Sequence, residues 1–399
     1  MDSLTQMVLG AAVGEATLGK KVGNRAMMWG AVAGTLPDLD VIANFFMSPI
    51  DALAFHRGIT HAAIVCLFGA LILGWLVHRL YKYEKHKWVA ASSWFATGLL
   101  LSGSIFFSGG ISIGKSVFSV LLLALLGYFI YKRYQRPSYN TDIDATTGDW
   151  QRLFWWALIT HPILDCFTTY GTQILLPFTD KRVSFDNIAV ADPLYTLPLI
   201  FGLLLAIRRP ANDKMRSVLN WWALGLSSVY MMFTLVNKQY INHIFTDSLQ
   251  KQGIEYERFM TTPTILNNVL WSGIAESDSV YYYGQYSLFD SKKEFVLQKI
   301  SKNHELIEKP IKTDFTLQTL KWFSNGYFHV KVPEPGKLFW FDLRFGSFRL
   351  SPQHKDEFVF KFDLDEKDGS YIMNKQANRP RDGDIGAIFS ALWNRIKGI

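Results

Sequence analysis

The chain has 399 residues, of which 49% are hydrophobic, 15% aromatic and only 19% charged. That charged share lies below the quarter usual in soluble chains, and 41 Lys and Arg against 34 Asp and Glu leave a net charge of +7. So modest a cation excess argues against a nucleic-acid binder, the apolar content excludes a mostly disordered chain, and two cysteines exclude a disulfide scaffold. The average hides a division. Up to Ile241 there are 20 Lys and Arg against 14 Asp and Glu, a net +6 with long uncharged stretches. From Asn242 onward the counts are 21 and 20, as in an ordinary soluble domain. Residues 1–241 are therefore expected to form a membrane-embedded helical domain and residues 242–399 a soluble one.

Apolar runs follow in order at Leu4–Gly19, Ala26–Phe46, Ile59–Val77, Trp88–Phe107, Ile111–Tyr131, Leu153–Tyr170, Ile188–Ile207 and Val218–Val236. Most approach the roughly 20 residues that a spanning helix needs. The first is short and holds Glu15, the second is interrupted by Pro37, Asp38 and Asp40, and the sixth contains His161 and Asp165. Together they predict a polytopic all-α bundle of about eight segments, the first short or re-entrant. Glycines in segments one, two and four point to close helix packing. No cleavable signal peptide is recognised at the N-terminus.

Basic residues cluster in every second connection. They are Lys20, Lys21 and Arg25; Arg79, Lys82, Lys85 and Lys87; Lys132, Arg133, Arg136 and Arg152; and Arg208, Arg209, Lys214 and Arg216. These connections are expected to be cytoplasmic. Met47–Gly58, Ser108–Gly110 and Gly171–Asn187 then face outward, with both termini. Beyond Asn242, extended segments are expected within Asn267–Tyr286 and at Thr316–Phe323, Tyr327–Val332, Leu338–Phe345 and Glu357–Leu364. An amphipathic helix is expected at Asp384–Ile396. The second domain is thus a small α+β or mostly β unit on the outer side, with Asp342-Leu343-Arg344-Phe345-Gly346 its most suggestive stretch.

Ionisable residues inside apolar segments are costly and default to functional candidates. Here they form three clusters: Pro37-Asp38-Leu39-Asp40, His56-Arg57-Gly58-Ile59-Thr60-His61, and Thr160-His161-Pro162-Ile163-Leu164-Asp165. His161 and Asp165, four apart, share one helix face. Asp38 and Asp40 diverge on a regular helix, but a break at Pro37 lets both point at one place. Pro162 frees a backbone carbonyl for the site, and Gly58 gives the turn before segment three its freedom. The topology brings all three clusters toward the outer side, with His161 deepest, roughly 15 Å from the outer end of its segment. Asp38, Asp40, His56, His61, His161 and Asp165 are a plausible ligand set for one or two divalent ions. Zinc suits them best, and Mn or Fe is also possible. Asp38 or Asp40 can instead act as the base, and Arg57 can hold a phosphate oxygen. Asp2, Gln6, Thr60, Thr160 and Asp192 are candidates for supporting the ligands, Asp192 equally as a helix cap. Glu15 is expected to serve packing or topology. The competing reading is a non-enzymatic transporter or a regulatory or structural protein that uses the same His and Asp residues for ion passage or stability.

These residues carry a resemblance. Met1-Asp2-Ser3-Leu4-Thr5-Gln6 with Gly10 and Gly14, the three clusters above, and Thr168-Thr169-Tyr170-Gly171 resemble the bacterial inner-membrane metal-dependent hydrolases of the YdjM type, over about the first half of the chain. Some relatives have His where this chain has Gln6. That family is distantly similar to zinc-dependent phospholipase C and to nucleases of the P1 type, which bind zinc through His and Asp and cleave phosphoesters. The resemblance implies a metal-dependent hydrolase of the inner membrane acting on the phosphoester of a lipid or lipid-linked substrate.

Overall fold

The computed structural model describes residues 1–83, 87–89, 91–92, 113–134, 143–347, 358–374 and 385–398. Its N-terminal, helical part contains α1 (Ser3–Val22), α2 (Asn24–Thr35), a 3-10 helix Pro37–Phe45, α3 (Pro49–Phe55), a 3-10 turn Ile59–His61, α4 (Ala63–Lys82), α5 (Ile113–Tyr134), α6 (Thr147–Cys166), α7 (Pro193–Ala206) and α8 (Lys214–Lys251).

Among these, α4 and α8 are long and apolar enough to cross a membrane, and α7 and Val117–Lys132 are shorter apolar helices. Among the described residues, two of the eight expected segments thus stand out as long apolar helices. Pro37 divides the second run, and Asp192 and Pro193 start α7 late, leaving it 14 residues. Most of the fourth run, Trp88–Phe107, and the connection Ser108–Gly110 lie outside the described residues. The first and sixth runs are continuous helices, but much of their surface is covered by protein. Trp150, Leu153, Phe154 and Ala157 of α6 pack with Leu18 and Val22 of α1 and with Cys66, Ala70 and Val77 of α4.

Helix α1 is central, touching α2, α6, α7 and α8. Gly10 and Gly14 face Gly30 and Gly34 of α2. A methyl group at Gly10 or Gly30 would strike the other's carbonyl oxygen, and one at Gly34 the carbonyl of Gln6. This small-residue seam lets the backbones touch. It also sets Gln6 beside the last turn of α2, where the site begins.

The first and fourth basic connections meet beside the start of α6 at one end of the bundle. Lys21 pairs with Asp149 at 2.7 Å, Asn24 donates to the Ile207 carbonyl at 3.1 Å, and Arg216 donates to Asn24 at 2.7 Å and to the Arg209 carbonyl at 2.9 Å. The three polar clusters lie away from this end. Both cysteines are buried and free.

Helix α8 runs unbroken through residue 241. Its Ile241, Ile244, Phe245 and Leu249 pack with Trp271 and Tyr286 in the core of the second domain. That domain holds two four-stranded antiparallel meanders. The first joins β1 (Arg258–Pro263), β2 (Leu270–Glu276), β3 (Val280–Ser287) and β4 (Gln298–Ser301). The second joins β5 (Phe328–Lys331), β6 (Lys337–Ser347), β7 (Phe358–Lys367) and β8 (Ser370–Met373). Thr316–Phe323, expected to be extended, is instead helix α9 (Phe315–Phe323). Its apolar residues fit either period, and Asp314 decides for the helix by capping the Leu317 N–H at 2.9 Å, while Leu317, Leu320 and Phe323 form the buried stripe. Helix α10 (Ile385–Ile396) coincides with the expected amphipathic helix.

The second domain rests on the segments that carry the polar clusters. Ile50, Leu53 and Tyr170 join the core of the second sheet. Thr169 and Thr262 share a 2.5 Å hydrogen bond, and Asn268 donates to the Asn187 carbonyl at 2.8 Å while accepting from Asn237.

Candidate metal centre

The site is built where helices end. α2 stops because Pro37 has no N–H to continue it, and the chain tightens into a 3-10 helix with three residues per turn. Asp38 and Asp40, two positions apart, then point to different sides. Asp38 Oδ1 lies 3.6 Å from His61 Nε2, whereas Asp40 Oδ2 lies 3.6 Å from His61 Nδ1, so the two carboxylates flank opposite nitrogens of one imidazole. His61 closes the 3-10 turn before α4 and is fully buried. The left-handed backbone of this stretch falls on Arg57 (φ 57°), not on Gly58. Asp40 holds it there by accepting the Arg57 N–H at 2.9 Å.

His161 and Asp165 occupy one face of α6, with His161 Nε2 3.4 Å from Asp165 Oδ2. Pro162 between them frees the carbonyl of Leu158, four residues earlier, but that oxygen faces the Cys66 thiol at 3.8 Å and not the site. The backbone groups that do serve the site are the His161 carbonyl, which accepts from Gln6 Nε2 at 3.2 Å, and the Gly34 carbonyl. Gly34 lies in the last turn of α2, whose carbonyls lack helical partners.

Four side chains converge: Asp38, His61, His161 and Asp165, with one donor atom each all within 4.8 Å of one another. The two Nε2 atoms are 3.1 Å apart, and Asp38 Oδ1 is 3.4 Å from His161 Nε2. Asp165 Oδ2 is 3.4 Å from both imidazoles. Four ligands around a tetrahedral zinc ion at about 2.0–2.2 Å stand roughly 3.3–3.5 Å apart. The spacing fits one ion.

Proton placement agrees. The Gly34 carbonyl can only accept, so His161 Nδ1, 2.6 Å away, carries the proton. Thr60 Oγ1 donates to Asp40 at 3.2 Å and is left to accept from His61 Nδ1 at 3.0 Å. With Nδ1 protonated in both rings, Nε2 of each is the atom turned toward the other ring and the two carboxylate oxygens, and it is the atom free to serve as a ligand. Asp165 Oδ2 is buried and makes no hydrogen bond. Two imidazoles and two carboxylates are a donor set that suits a divalent ion such as zinc.

The remaining expected residues take other places. Asp40 and His56 do not enter the four-residue group. They pair with each other through His56 Nδ1 and Asp40 Oδ1 at 2.8 Å, beside it. Gln6 Nε2 donates to Asp165 Oδ1 at 2.9 Å, so it braces a ligand where some relatives have His. Arg57 also braces Asp165, at 3.3 Å, and donates to Thr168 Oγ1 at 2.9 Å, which leaves only its Nε without a partner. Asp2 caps α1 through the Thr5 N–H, and Asp192 caps α7 and accepts from Tyr230; neither orients a ligand. Thr160 bonds back to the Trp156 carbonyl of its own helix and takes no part. The sequence left two groups unsignalled: the Met1 amino group, which contacts Asp165 Oδ1, and the Gly34 carbonyl.

Neither the curated proteins nor the solved structures contain a match to this chain. A family model described as YdjM inner membrane protein matches residues 1–108 and 112–241. The matched region holds all four converging donors and every residue that braces them, and the chain belongs to the YdjM inner membrane protein family.

Proposed function

We propose that the chain is a metal-dependent hydrolase of the inner membrane that cleaves a phosphoester of a lipid or lipid-linked substrate at the outer face. The observation that carries this reading is the convergence of two imidazole lone pairs and two carboxylate oxygens on a point where one oxygen, Asp165 Oδ2, has no hydrogen bond. An ion held there supplies Lewis acidity and lowers the pKa of a bound water toward neutrality. Asp165, His61 and His161 have side chains closed to solvent, whereas that of Asp38 is 16% exposed. The approach is therefore past Asp38. His56 is partly exposed, and its ring centre lies 6.3 Å from that of His61. Because Asp40 accepts from His56 Nδ1, the imidazole keeps Nε2 for proton transfer, so His56 is a better candidate for acid or base than for a ligand. Asp40 fixes that ring and, through Thr60, the ring of His61.

One feature favours a substrate with apolar chains. The 3-10 helix that carries Asp38 exposes Leu39, Val41, Ile42 and Phe45, with Phe46 and Met47 just beyond it. This is an apolar rim beside the opening and suits acyl chains. The test uses the full-length protein in detergent with a panel of lipid phosphomonoesters and phosphodiesters. Turnover of at least one member, lost on chelation and restored by zinc, manganese or iron, is the expected result. Metal-loaded protein that turns over none of them sinks the hydrolase reading.

The outer-face assignment rests on the first and fourth basic connections meeting at one end while the second domain sits over the other. The exposed positions Asp180 and Arg208 provide its test, since both native thiols are buried. Asp180→Cys in intact spheroplasts should react with an impermeant maleimide, and Arg208→Cys only after permeabilisation. The reverse pattern overturns the orientation.

A further inference from the structure

A second polar feature lies between the outer loop and the β domain. A cleft of about 580 Å³ is lined by Lys181, Arg182 and Asp186 of the loop and by Arg258, Tyr327 and Arg344 of the β domain. Four cations and one acid face it. The acids at or behind its walls are already engaged. Asp186 is 3.5 Å from Lys238. Asp342 is bidentate with Arg344, at 3.0 and 2.7 Å. Glu276 is shared between Arg258 and Lys302. Among the described residues, no carboxylate pairs with Lys181 or Arg182.

Arg182 is the distinctive member. Its Nη2 donates to the His56 carbonyl at 2.8 Å, while its Nε and Nη1 are buried without partners. Its guanidinium lies 5.0 Å from the Tyr170 ring and 4.8 Å from the Trp322 ring. Arg57 lies 4.9 Å from the same Tyr170 ring and reaches Asp165. One aromatic residue therefore separates Arg182 from the arginine that braces the metal centre. Burial, with Arg344 and Arg57 nearby, pushes the Arg182 pKa down to about 10, so the group is still charged at neutral pH. A guanidinium held among aromatic rings with no carboxylate at ion-pair distance is costly unless an anion completes it.

We propose that this cleft binds a phosphate group, at a site distinct from the metal centre. Phosphate fits because arginine forks match its oxygens and because the surplus of positive charge is confined to a partly enclosed space. The proposal rests on the hydrolase reading only for the purpose of the bound phosphate, since the binding stands on its own geometry. The occupant is either the headgroup of an anionic phospholipid or a soluble phosphate compound.

The test uses full-length protein stripped of metal by chelation, freed of chelator and placed in phosphatidylcholine nanodiscs. Inorganic pyrophosphate is the calorimetric probe. Saturable binding is expected. Lys181→Glu, at an exposed position, should weaken it about threefold, and Arg182→Gln about tenfold or more. Adding phosphatidylglycerol to the nanodiscs distinguishes the sources: competition with pyrophosphate assigns the site to a lipid headgroup, and indifference assigns it to a soluble phosphate compound. No saturable binding, or equal affinity in the parent and both variants, overturns the site. Hydrolysis and metal content measured on the same preparations separate the two readings, because stripped protein that binds pyrophosphate keeps this site even if the metal-loaded form is inactive.

Discussion

Replacing His61, His161 or Asp165 by Ala is expected to take bound zinc from about one ion per chain to background. Elemental analysis of reconstituted, detergent-purified protein measures it. Each of these residues supplies a donor spaced for one tetrahedral ion. Asp38→Ala should show the same loss, softened if water enters at its exposed edge. The surrounding residues should behave differently. Asp40→Ala and Thr60→Val remove the support of His61 Nδ1 and should lower affinity about 10- to 100-fold without preventing saturation. His56→Gln should keep the ion and lose about 100-fold in turnover, as expected for proton transfer. Thr160→Ala, whose hydroxyl bonds only to its own helix, should do neither. A parent that holds no metal after reconstitution sinks the metal centre. A His56→Gln protein as metal-free as His161→Ala would return His56 to the ligands.

The part of this centre legible in the sequence is the part written in expensive residues. Buried His and Asp in apolar runs stand out because hydrocarbon tolerates them poorly, and the four-residue spacing of His161 and Asp165 carries directly into a shared helix face. What was not legible belongs to the backbone or to distant partners. The Gly34 carbonyl that sets the His161 tautomer has no side-chain signature, and the 3-10 pitch that follows Pro37, which fixes how Asp38 and Asp40 are turned, is a backbone property. Arg182 reads as an ordinary loop cation until α9, some 140 residues later, brings Trp322 and Phe323 against it. Composition records that a helix is buried, but not whether lipid or protein covers it, and α6 uses its apolar face largely for α1 and α4.

The second large effect is expected at the opposite end of the bundle. Glu15, expected to serve packing or topology, forms a two-pronged pair with Arg216, at 2.6 Å from Nε and 2.5 Å from Nη2, with both side chains buried. Arg216 spends its other edge on Asn24 and the Arg209 carbonyl, so one guanidinium ties α1, the start of α2, the α7–α8 connection and α8 together. Glu15→Ala leaves that guanidinium buried beside neutral groups only, which should cost about 3–5 kcal/mol. The expected signs are a lower unfolding midpoint in a mixed-detergent titration and loss of the monodisperse species. The penalty arises from the stranded charge more than from the lost attraction. The double variant Glu15→Leu with Arg216→Met should therefore recover most of the stability, because a well-packed apolar pair of similar volume can match a buried ion pair. Zinc content should stay at the parental level in the double variant, since the pair touches none of the four donors. If Glu15→Ala is as stable as the parent, water reaches Arg216 and the pair is a surface contact. If the double variant is as unstable as the single, the charge itself anchors this end of the bundle at the basic face.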